Sequence, residues 1–214
     1  MALIVNEIFY SIQGESSWAG IPFVFVRLTG CNLRCSYCDT RYAYDEGSAW
    51  SLDAILDQVN RYACRCITLT GGEPLLQPEC ADLVSCLLSR GYTVTLETNG
   101  SQDVGLIDKR CIKIMDLKCP SSGMQTHNRW ANIELLTPED EVKFVIADHD
   151  DFEFARSAIM RFGSKIPATH LLFSAAHGEM EPQQLARWML DARVEARLQV
   201  QLHKILWPSR QRGV

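Results

Sequence analysis

Short apolar segments typical of β-strands alternate with helix-like segments along most of this chain, and that alternation restricts the fold more than any other feature. The strand-like segments span residues 23–28, 66–70, 92–97, 112–117, 142–147, 169–174 and 198–202. Apolar residues recur at helical spacing between several of them, for example Leu52, Ile55 and Val59 after Ser51, a residue type that caps helices. The alternation predicts an α/β fold with mostly parallel strands and crossover helices.

Length and composition agree with an ordinary globular protein. The 214 residues suffice for one domain, expected to span 1–214, and are somewhat few for a complete (β/α)8 barrel of ~250 residues. Charged residues make up 22% of the chain and the net charge is −5, which gives no indication of a nucleic-acid surface. No apolar stretch approaches the ~20 residues of a membrane helix, and no signal-peptide pattern is visible. We therefore expect a cytoplasmic protein that binds neither nucleic acid nor membranes, with mostly reduced cysteines.

Residues able to carry chemistry follow the predicted strands directly. They are Cys31, Cys35, Cys38, residues 71–74, residues 97–100, Asp116, Lys118 and Ser174. In α/β proteins, ligands bind beyond the carboxyl ends of the strands. Because parallel strands end at the same edge of a sheet, we expect these residues to form one site. Residues 118–133, where proline, serine and glycine cluster, are predicted to be a functional loop beside it.

Cys31, Cys35 and Cys38 form a C-x-x-x-C-x-x-C pattern that supplies three thiolates. Three thiolates can ligate three irons of a [4Fe–4S] cluster, whose usual ligand set is four cysteines, so the fourth iron stays open to another ligand. An open coordination position is typical of catalytic metal sites. A zinc site is the alternative, but zinc sites usually take paired C-x-x-C hooks, and the sequence has no second hook.

The other six of the nine cysteines are interpreted as ordinary thiols. Cys64 and Cys66 are separated by a single residue, which is not a usual cluster spacing. Cys80 lies on an apolar helical face and is most simply part of the core. The sequence therefore predicts one cluster and no auxiliary cluster.

The cysteine pattern followed by residues 71–74 (GGEP) resembles the radical S-adenosylmethionine (SAM) superfamily. Taken alone, the GGEP segment fits a strand-to-helix turn equally well. In the superfamily, the open iron chelates the amino and carboxylate groups of SAM, and reduction of the cluster cleaves SAM to a 5′-deoxyadenosyl radical. The resemblance implies a modified, incomplete (β/α) barrel that holds one [4Fe–4S] cluster and SAM.

Longer segments narrow the resemblance to the 7-carboxy-7-deazaguanine synthase family. They are residues 6–15 (NEIFYSIQGE), 20–28, 38–40 (CDT), 116–123 (DLKCPSSG) and 201–204 (QLHK). In that family the radical takes a hydrogen atom from C6 of 6-carboxy-5,6,7,8-tetrahydropterin, the ring contracts and ammonia is lost. SAM is regenerated, and the product is a precursor of queuosine and related 7-deazapurines. The resemblance thus implies a lyase that uses Mg2+, forms a homodimer and receives electrons from an external reductant such as flavodoxin or ferredoxin.

The resemblance also implies roles for individual residues. Contacts with SAM are expected at Tyr37, Cys38, Asp39, Gly72, Glu73, Glu97, Asn99, Lys118, Cys119, Pro120, Ser121, Ser174, Ala175, Ala176 and His177. Contacts with the substrate are expected at Ile12, Gln13, Gly14, Glu15, Arg27, Thr70, His203 and Pro208. Thr40 is expected to bind Mg2+.

The chemistry of several of these side chains suits the implied roles. Arg27 offers a planar fork that can bind a carboxylate bidentately, and Gln13 can both donate and accept hydrogen bonds. The hydroxyl of Thr40 is a hard oxygen ligand, although a local bond to the preceding aspartate would explain it as well. His203 is predicted on the last strand, where a structural role is an equal alternative.

Two other functions compete with the synthase. A glycyl-radical-activating enzyme is also a short radical SAM protein, but many such activases carry additional cysteine hooks, which this chain lacks. A non-catalytic iron–sulfur protein would close its cluster with a fourth ligand and would not need the GGEP segment. The sequence therefore favours the ring-contracting enzyme.

Overall fold

The computed structural model describes residues 2–210 and 212–214 and is built on one nine-stranded sheet. The strands are β1 (Ala2–Ile12), β2 (Pro22–Leu28), β3 (Ser48–Ser51), β4 (Cys66–Gly71), β5 (Thr93–Thr98), β6 (Ile112–Asp116), β7 (Glu141–Ile146), β8 (Leu171–Ala175) and β9 (Arg197–Gln199). The helices are α1 (Leu52–Asn60), α2 (Cys80–Ser89), α3 (Asn132–Leu135), α4 (His149–Ile159), α5 (Pro182–Asp191) and α6 (Leu202–Leu206). Within the described residues, none of these helices is long and apolar enough to span a bilayer.

The strand order is β3-β1-β2-β4-β5-β6-β7-β8-β9. Strand β1 pairs antiparallel with β2 and β3, and every pair from β2–β4 to β8–β9 is parallel. The sheet keeps two free ends, β3 and β9, as an incomplete barrel must. This confirms the predicted α/β fold with mostly parallel strands and crossover helices.

The connection between β1 and β2 bridges the two sides of the open sheet. The backbone N–H of Ser16 donates to Gln199 Oε1 at 2.6 Å, and that of Ser17 donates to Glu141 Oε2 at 3.1 Å. These partners lie on β9 and β7, at the far side of the strand order. The hairpin connection therefore crosses the opening and brings its residues over the interior of the sheet.

The two faces of the parallel strands have different chemistry. On β4, Ile67 and Leu69 are fully buried in the core that packs against α1 and α2. The intervening Thr68 is also buried, and it accepts a hydrogen bond from Gln13 Nε2 at 3.2 Å on the opposite face. Since side chains alternate between faces along a strand, apolar residues point to the helices and polar residues to the interior. The interior is thus lined with groups that can bind a polar ligand.

Local signals place the helix ends where the sequence predicts them. The side chain of Ser51 accepts a hydrogen bond from the backbone N–H of Ala54, as an N-cap does. Gly91 has a φ of +78° just after α2, a conformation that favours glycine and ends the helix. Cys80 is buried on the apolar face of α2, so its prediction as a core residue is confirmed.

Some predicted strand boundaries are wrong at the carboxyl-terminal end of the fold. Strand β8 begins at Leu171, because residues 169 and 170 belong to a 3-10 turn. Strand β9 ends at Gln199, and Leu202 begins α6, so His203 lies on a helix and not on a strand. The backbone N–H of Leu202 donates to the carbonyl oxygen of Gly14 at 2.9 Å, and this bond turns the chain away from the sheet. The prediction also omits β1 and β3, the two antiparallel additions.

Candidate active site

A cavity of about 260 Å³ opens at the carboxyl ends of the parallel strands. Most of the predicted site residues line it, namely Ile12, Gln13, Gly14, Glu15, Arg27, Cys31, Cys35, Tyr37, Cys38, Asp39, Thr40, Thr70, Gly72, Glu97, Asn99, Lys118, Ser174, Ala175, Ala176, His177 and His203. Residues from the first strand to the last helix therefore meet in one place. The expectation of a single site at this edge agrees with the structure.

The loop that carries the three cysteines is held against the end of β4 by tight backbone contacts. The backbone N–H of Glu73 donates to the carbonyl oxygen of Gly30 at 2.7 Å. A Cβ atom on Gly72 would lie 2.3 Å from that same oxygen and 2.6 Å from Cys31 Cβ. Only a glycine fits this close approach, so residues 71–74 fix the position of the cysteine loop. The GGEP segment is therefore more than a strand-to-helix turn.

The three thiols form one end of the cavity. Cys31, Cys35 and Cys38 are partly buried and all line it. Burial raises the pKa of Cys31 and the pKa of Cys35, so neither thiol favours ionisation by itself. A bound metal reverses that preference, because a coordinating thiol is deprotonated outright.

The three thiols supply the protein ligands that a [4Fe–4S] cluster with one open iron needs. In the described part of the chain, no three His, Cys, Asp or Glu side chains converge to hold one metal ion. A [4Fe–4S] cluster makes a different demand, because each thiolate binds its own iron. Asn99 Nδ2 lies 3.9 Å from Cys31 Sγ, so a polar side chain also faces this end.

Glu73 lies behind this end of the cavity and does not line it. Its buried carboxylate accepts hydrogen bonds from the Thr98 hydroxyl at 2.9 Å and from the backbone N–H of Asn99 at 2.6 Å. Burial raises the pKa of Glu73, although the amides of Asn99 and Leu75 oppose that shift. Glu73 thus ties the end of β4 to the end of β5 and orients Asn99.

Another part of the cavity wall, here called the polar end, carries a network of charges around Lys143. Its Nζ lies 2.7 Å from Glu15 Oε2 and 3.6 Å from Asp116 Oδ2. Burial acts against the ammonium, but Glu15 and Asp116 outweigh it and raise the pKa of Lys143. Burial likewise opposes ionisation of Glu15, while Lys143 holds the pKa of Glu15 below its usual value. The lysine and Glu15 are therefore both charged at neutral pH.

Asp116 contributes an unsatisfied acceptor to the cavity wall. Its Oδ2 pairs with Lys118 Nζ at 3.0 Å, while its buried Oδ1 has no hydrogen-bond partner among the described residues. A buried carboxylate oxygen without a donor is unfavourable unless a ligand or water supplies one. Asp116 Oδ1 is thus available to a donor group of a bound molecule.

Arg27, Gln13 and His203 complete the polar end. Arg27 Nε donates to Glu7 Oε1 at 2.8 Å, and Gln13 Nε2 lies 3.4 Å from Glu97 Oε1. Burial lowers the pKa of His203, although Glu15 opposes this effect. The ring of His203 lies so close to Gly14 that a Cβ there would be 2.2 Å from Nδ1.

Thr40 lies at the rim, where magnesium is expected. Its hydroxyl donates to Asp39 Oδ1 at 2.9 Å, the local bond that the sequence offers as the alternative. Asp39 Oδ2 also lies 3.3 Å from Lys204 Nζ. The two oxygen-bearing side chains are adjacent, and a hard cation with ligands of its own could replace the hydrogen-bond donors.

Four more predicted contacts lie outside the cavity lining. Cys119 is fully buried, and Pro120 and Ser121 follow it in a 3-10 turn. The Ser121 backbone carbonyl accepts a hydrogen bond from the Ser36 hydroxyl at 2.8 Å, so this turn supports the cysteine loop from outside. Pro208 lies in the turn after α6.

The sequence interpretation missed two charged residues of the site, Lys143 and Glu7. Lys143 lies on β7 between the buried Val142 and Phe144. A lysine inside an otherwise apolar parallel strand indicates a buried ion pair, because such a charge is rarely buried without a partner. That pattern could have identified Lys143. Glu7 gave no local signal, since its partner Arg27 is 20 positions away.

Comparison with known proteins identifies the family. Residues 25–188 match the radical SAM superfamily. The chain is 45% identical to the 7-carboxy-7-deazaguanine synthase of Chlorobaculum tepidum, over 99% of this chain and 97% of the relative. It is 40% identical to the synthase of Koribacter versatilis, over 98% of this chain and 99% of the relative. The crystal structure of QueE from Escherichia coli has the same fold, with a TM-score of 0.79, 22% identity and 95% of each chain covered.

These matches cover the cysteine loop, the GGEP segment and the charged end of the cavity alike, because they extend over nearly the whole chain. The family requires a [4Fe–4S] cluster and SAM, and the three thiols at the strand ends fit that requirement. The chain belongs to the 7-carboxy-7-deazaguanine synthase family of the radical SAM superfamily.

Proposed function

We propose that this chain converts 6-carboxy-5,6,7,8-tetrahydropterin into 7-carboxy-7-deazaguanine with loss of ammonia, in the biosynthesis of queuosine and related 7-deazapurines. The observation that carries the proposal is a single cavity whose wall carries both a trio of thiols and a set of charged and amide side chains. When bound, the cluster and SAM supply the radical that removes a hydrogen atom from the substrate. The protein holds the two molecules next to each other and excludes water.

The cysteine end holds the cluster and SAM in this proposal. Cys31, Cys35 and Cys38 would each ligate one iron of the cluster, which would leave one iron open to SAM. The open strand ends offer the backbone and side chains that contact the rest of SAM. These residues are Tyr37, Asp39, Gly72, Glu97, Asn99, Lys118 and residues 174–177, all of which line the cavity. Glu73 and the turn of residues 119–121 act from behind by holding the contacting loops in place.

The polar end binds the pterin. Arg27 presents its guanidinium to the cavity and pairs with the carboxylate of the substrate. Gln13, Glu15 and His203 offer donors and acceptors to the edge of the pterin ring, and Ile12, Gly14 and Thr70 shape the space around it. Thr40, with Asp39 beside it, binds Mg2+ together with oxygens of the substrate and water.

We further propose that the enzyme works in the cytoplasm as a homodimer and that residues 1–214 form one domain. The continuous nine-stranded sheet supports one domain. Helix α6 leaves Ile205 65% exposed and Leu206 47% exposed, so it offers apolar surface that a second copy could cover. An external one-electron donor such as flavodoxin or ferredoxin reduces the cluster.

Turnover by the reconstituted protein tests the proposed reaction. The cluster is assembled without oxygen, and the protein is given SAM, a strong reductant, Mg2+ and 6-carboxytetrahydropterin while product and SAM are followed by mass spectrometry. We expect 7-carboxy-7-deazaguanine to form with SAM largely intact. Fully oxidised 6-carboxypterin, which has no hydrogen atom on C6, is the matched control and should give no product.

The alternative outcomes distinguish the competing functions. Cleavage of SAM without deazaguanine would keep the radical chemistry but move it to another substrate, with a protein as the next candidate. A cluster that neither binds SAM nor supports turnover would indicate a non-catalytic iron–sulfur protein. Either result would overturn the proposal.

A further inference from the structure

Glu7 lies beneath the polar end of the cavity and holds three donors at once. Its Oε1 accepts hydrogen bonds from Arg27 Nε at 2.8 Å and from the Tyr42 hydroxyl at 3.0 Å. Its Oε2 accepts a hydrogen bond from the backbone N–H of Gly213 at 3.2 Å. Glu7 is not part of the cavity lining, whereas Arg27 is. The carboxylate therefore acts on the cavity only through the groups that it holds.

Tyr42 extends this arrangement to the segment Arg212–Val214. The Arg27 guanidinium carbon lies 5.8 Å from the centre of the Tyr42 ring, and that of Arg212 lies 4.3 Å from it. Arg212 also pairs with Glu46 at 2.7 Å. Val214 lines the cavity, and its neighbour Gly213 shares the Glu7 carboxylate with Arg27, so the segment lies on the Arg27 side of the cavity.

The orientation of Arg27 follows from its bond to Glu7. With Nε occupied by Glu7, the two terminal nitrogens form the edge of the guanidinium that remains available for another partner. The structure gives those nitrogens no acceptor among residues 2–210 and 212–214. Burial alone would lower the pKa of Arg27, but Tyr42 and Glu7 raise it above its usual value. The guanidinium is therefore charged at neutral pH. A planar carboxylate can dock on the free edge with two parallel hydrogen bonds.

We propose that Glu7 is a positioning residue, which orients Arg27 for the carboxylate of the substrate and ties the segment Arg212–Val214 across the same end of the cavity. The inference rests on the proposed function, because the substrate that supplies the carboxylate is the pterin. One carboxylate serves both tasks, so the orientation of Arg27 and the placement of the segment are coupled. Tyr42 connects the two, because its side chain contacts Glu7, Arg27 and Arg212.

Exchange of Glu7 for glutamine tests the positioning role directly. Glu7→Gln keeps the size of the side chain and removes its charge. We expect the KM for 6-carboxytetrahydropterin to rise roughly tenfold, while kcat changes less than threefold, because Arg27 loses its fixed orientation. The dissociation constant of SAM and the iron content should stay at wild-type values. Equilibrium dialysis of the pterin in the absence of reductant gives the same comparison without turnover.

Two further variants control for charge loss and for folding. Glu153→Gln makes the same substitution in an ion pair of similar length, 2.7 Å to Arg156, on helix α4, and should leave the KM unchanged. Tyr42→Phe removes one donor to Glu7 without altering any charge, and should raise the KM about threefold. It keeps the proposal testable if Glu7→Gln fails to fold.

A double-mutant cycle tests the coupling to the segment. Arg212→Ala alone should raise the KM a few-fold, and the double variant with Glu7→Gln should have roughly the KM of Glu7→Gln alone, because both act through one arrangement. Effects that simply multiply would overturn the coupling.

Separate results bear on the positioning role and on the proposed reaction. An unchanged pterin KM in Glu7→Gln and Tyr42→Phe would overturn the positioning role. A parallel loss of SAM affinity and iron content would also overturn it, because it would indicate a structural role alone. A wild-type protein that does not turn over the pterin would instead overturn the proposed function.

Discussion

The two ends of the cavity are encoded in different ways. The cysteine end takes its three thiols from one stretch of eight residues, 31–38, and its supporting glycines from residues 71–72. The polar end takes Glu15 from the β1–β2 connection, Lys143 from β7 and His203 from α6. Local spacing therefore specifies the ligand set at one end, and the tertiary fold assembles the charges at the other.

The two ends also differ in how far they are complete without a ligand. Burial raises the pKa of Cys31 and the pKa of Cys35, so both thiols favour the protonated form until a metal binds and deprotonates them. Glu15 and Lys143, in contrast, already form an ion pair, with 2.7 Å between Glu15 Oε2 and Lys143 Nζ. We infer that the Glu15–Lys143 pair of the polar end is preformed, whereas the cysteine end is completed when the cluster binds. Substitutions at the two ends should therefore fail in different ways.

Removal of one cluster ligand should have the largest effect. Cys35→Ala is expected to abolish turnover, because the cluster keeps only two of its three protein ligands. Iron content and the visible absorption of the cluster measure the loss. Cys64→Ala, a change at another partly buried cysteine outside the cavity lining, is the matched control and should retain both cluster and activity. Full activity in Cys35→Ala would mean that the three cysteines do not hold the catalytic cluster.

Loss of the central lysine should be the next largest effect. Lys143→Met leaves Glu15 and Asp116 buried without their shared cation, at a cost of about 3 kcal/mol in the free energy of unfolding. Displacement of Glu15 should also lower kcat/KM roughly a hundredfold. Urea unfolding and steady-state kinetics measure the two effects.

The matched control for this variant is Lys165→Met, which removes a lysine paired at 3.6 Å with the exposed Glu134. It should change the free energy of unfolding by less than about 0.5 kcal/mol. If Lys143→Met were as stable and active as this control, the polar end would not depend on its charge network.

A methyl group at Gly14 should have a moderate effect. In Gly14→Ala the new Cβ would meet His203 Nδ1 at 2.2 Å and the His203 backbone nitrogen at 2.9 Å, so α6 must move away. We expect the KM for the pterin to rise roughly tenfold with SAM affinity unchanged. Gly105→Ala, where the Cβ would meet the side chains of Asp103 and Leu135 at 3.0 and 3.2 Å, should leave the KM as it is. A wild-type KM in Gly14→Ala would show that the contact with α6 does not shape the substrate end.

The smallest predicted effect is a change in acid sensitivity. Lys143 holds the folded-state pKa of Glu15 below its usual 4.5, against the effect of burial. The unfolded state therefore binds more protons between the two pKa values, so this stabilisation is complete above 4.5 and is lost as the pH falls below it. In urea unfolding between about pH 6 and pH 3, the stability difference between wild type and Glu15→Gln should shrink. A difference that is constant with pH would contradict the charged pair.

The parallel core of the fold could be predicted because each strand is a short apolar run between turn residues, as at residues 66–70. The antiparallel additions could not. Strand β1 mixes buried Val5 and Phe9 with the polar Asn6 and Glu7, and β3 is mostly exposed. The predicted end of the final strand is wrong because Leu202, Ile205 and Leu206 have helical spacing. Residues 198–202 alone do not show that spacing.

The same division holds for the site. The cysteines and the GGEP segment could be predicted, because cluster ligation and close backbone approach depend on neighbouring residues. The charge network could not, because Lys143 meets Glu15 across 128 positions of sequence and Glu7 meets Arg27 across the β1–β2 pair. A single sequence records which charges exist but not which of them will be neighbours.

Ligand binding by two variants tests most directly whether one cavity has two independent ends. Equilibrium dialysis would measure SAM and 6-carboxytetrahydropterin binding to the wild type, Cys35→Ala and Lys143→Met after cluster reconstitution. We expect a crossed pattern, in which Cys35→Ala loses SAM affinity and keeps the pterin, while Lys143→Met loses the pterin and keeps SAM. Loss of both ligands in both variants, or of neither, would contradict the division of the cavity into a cysteine end and a polar end.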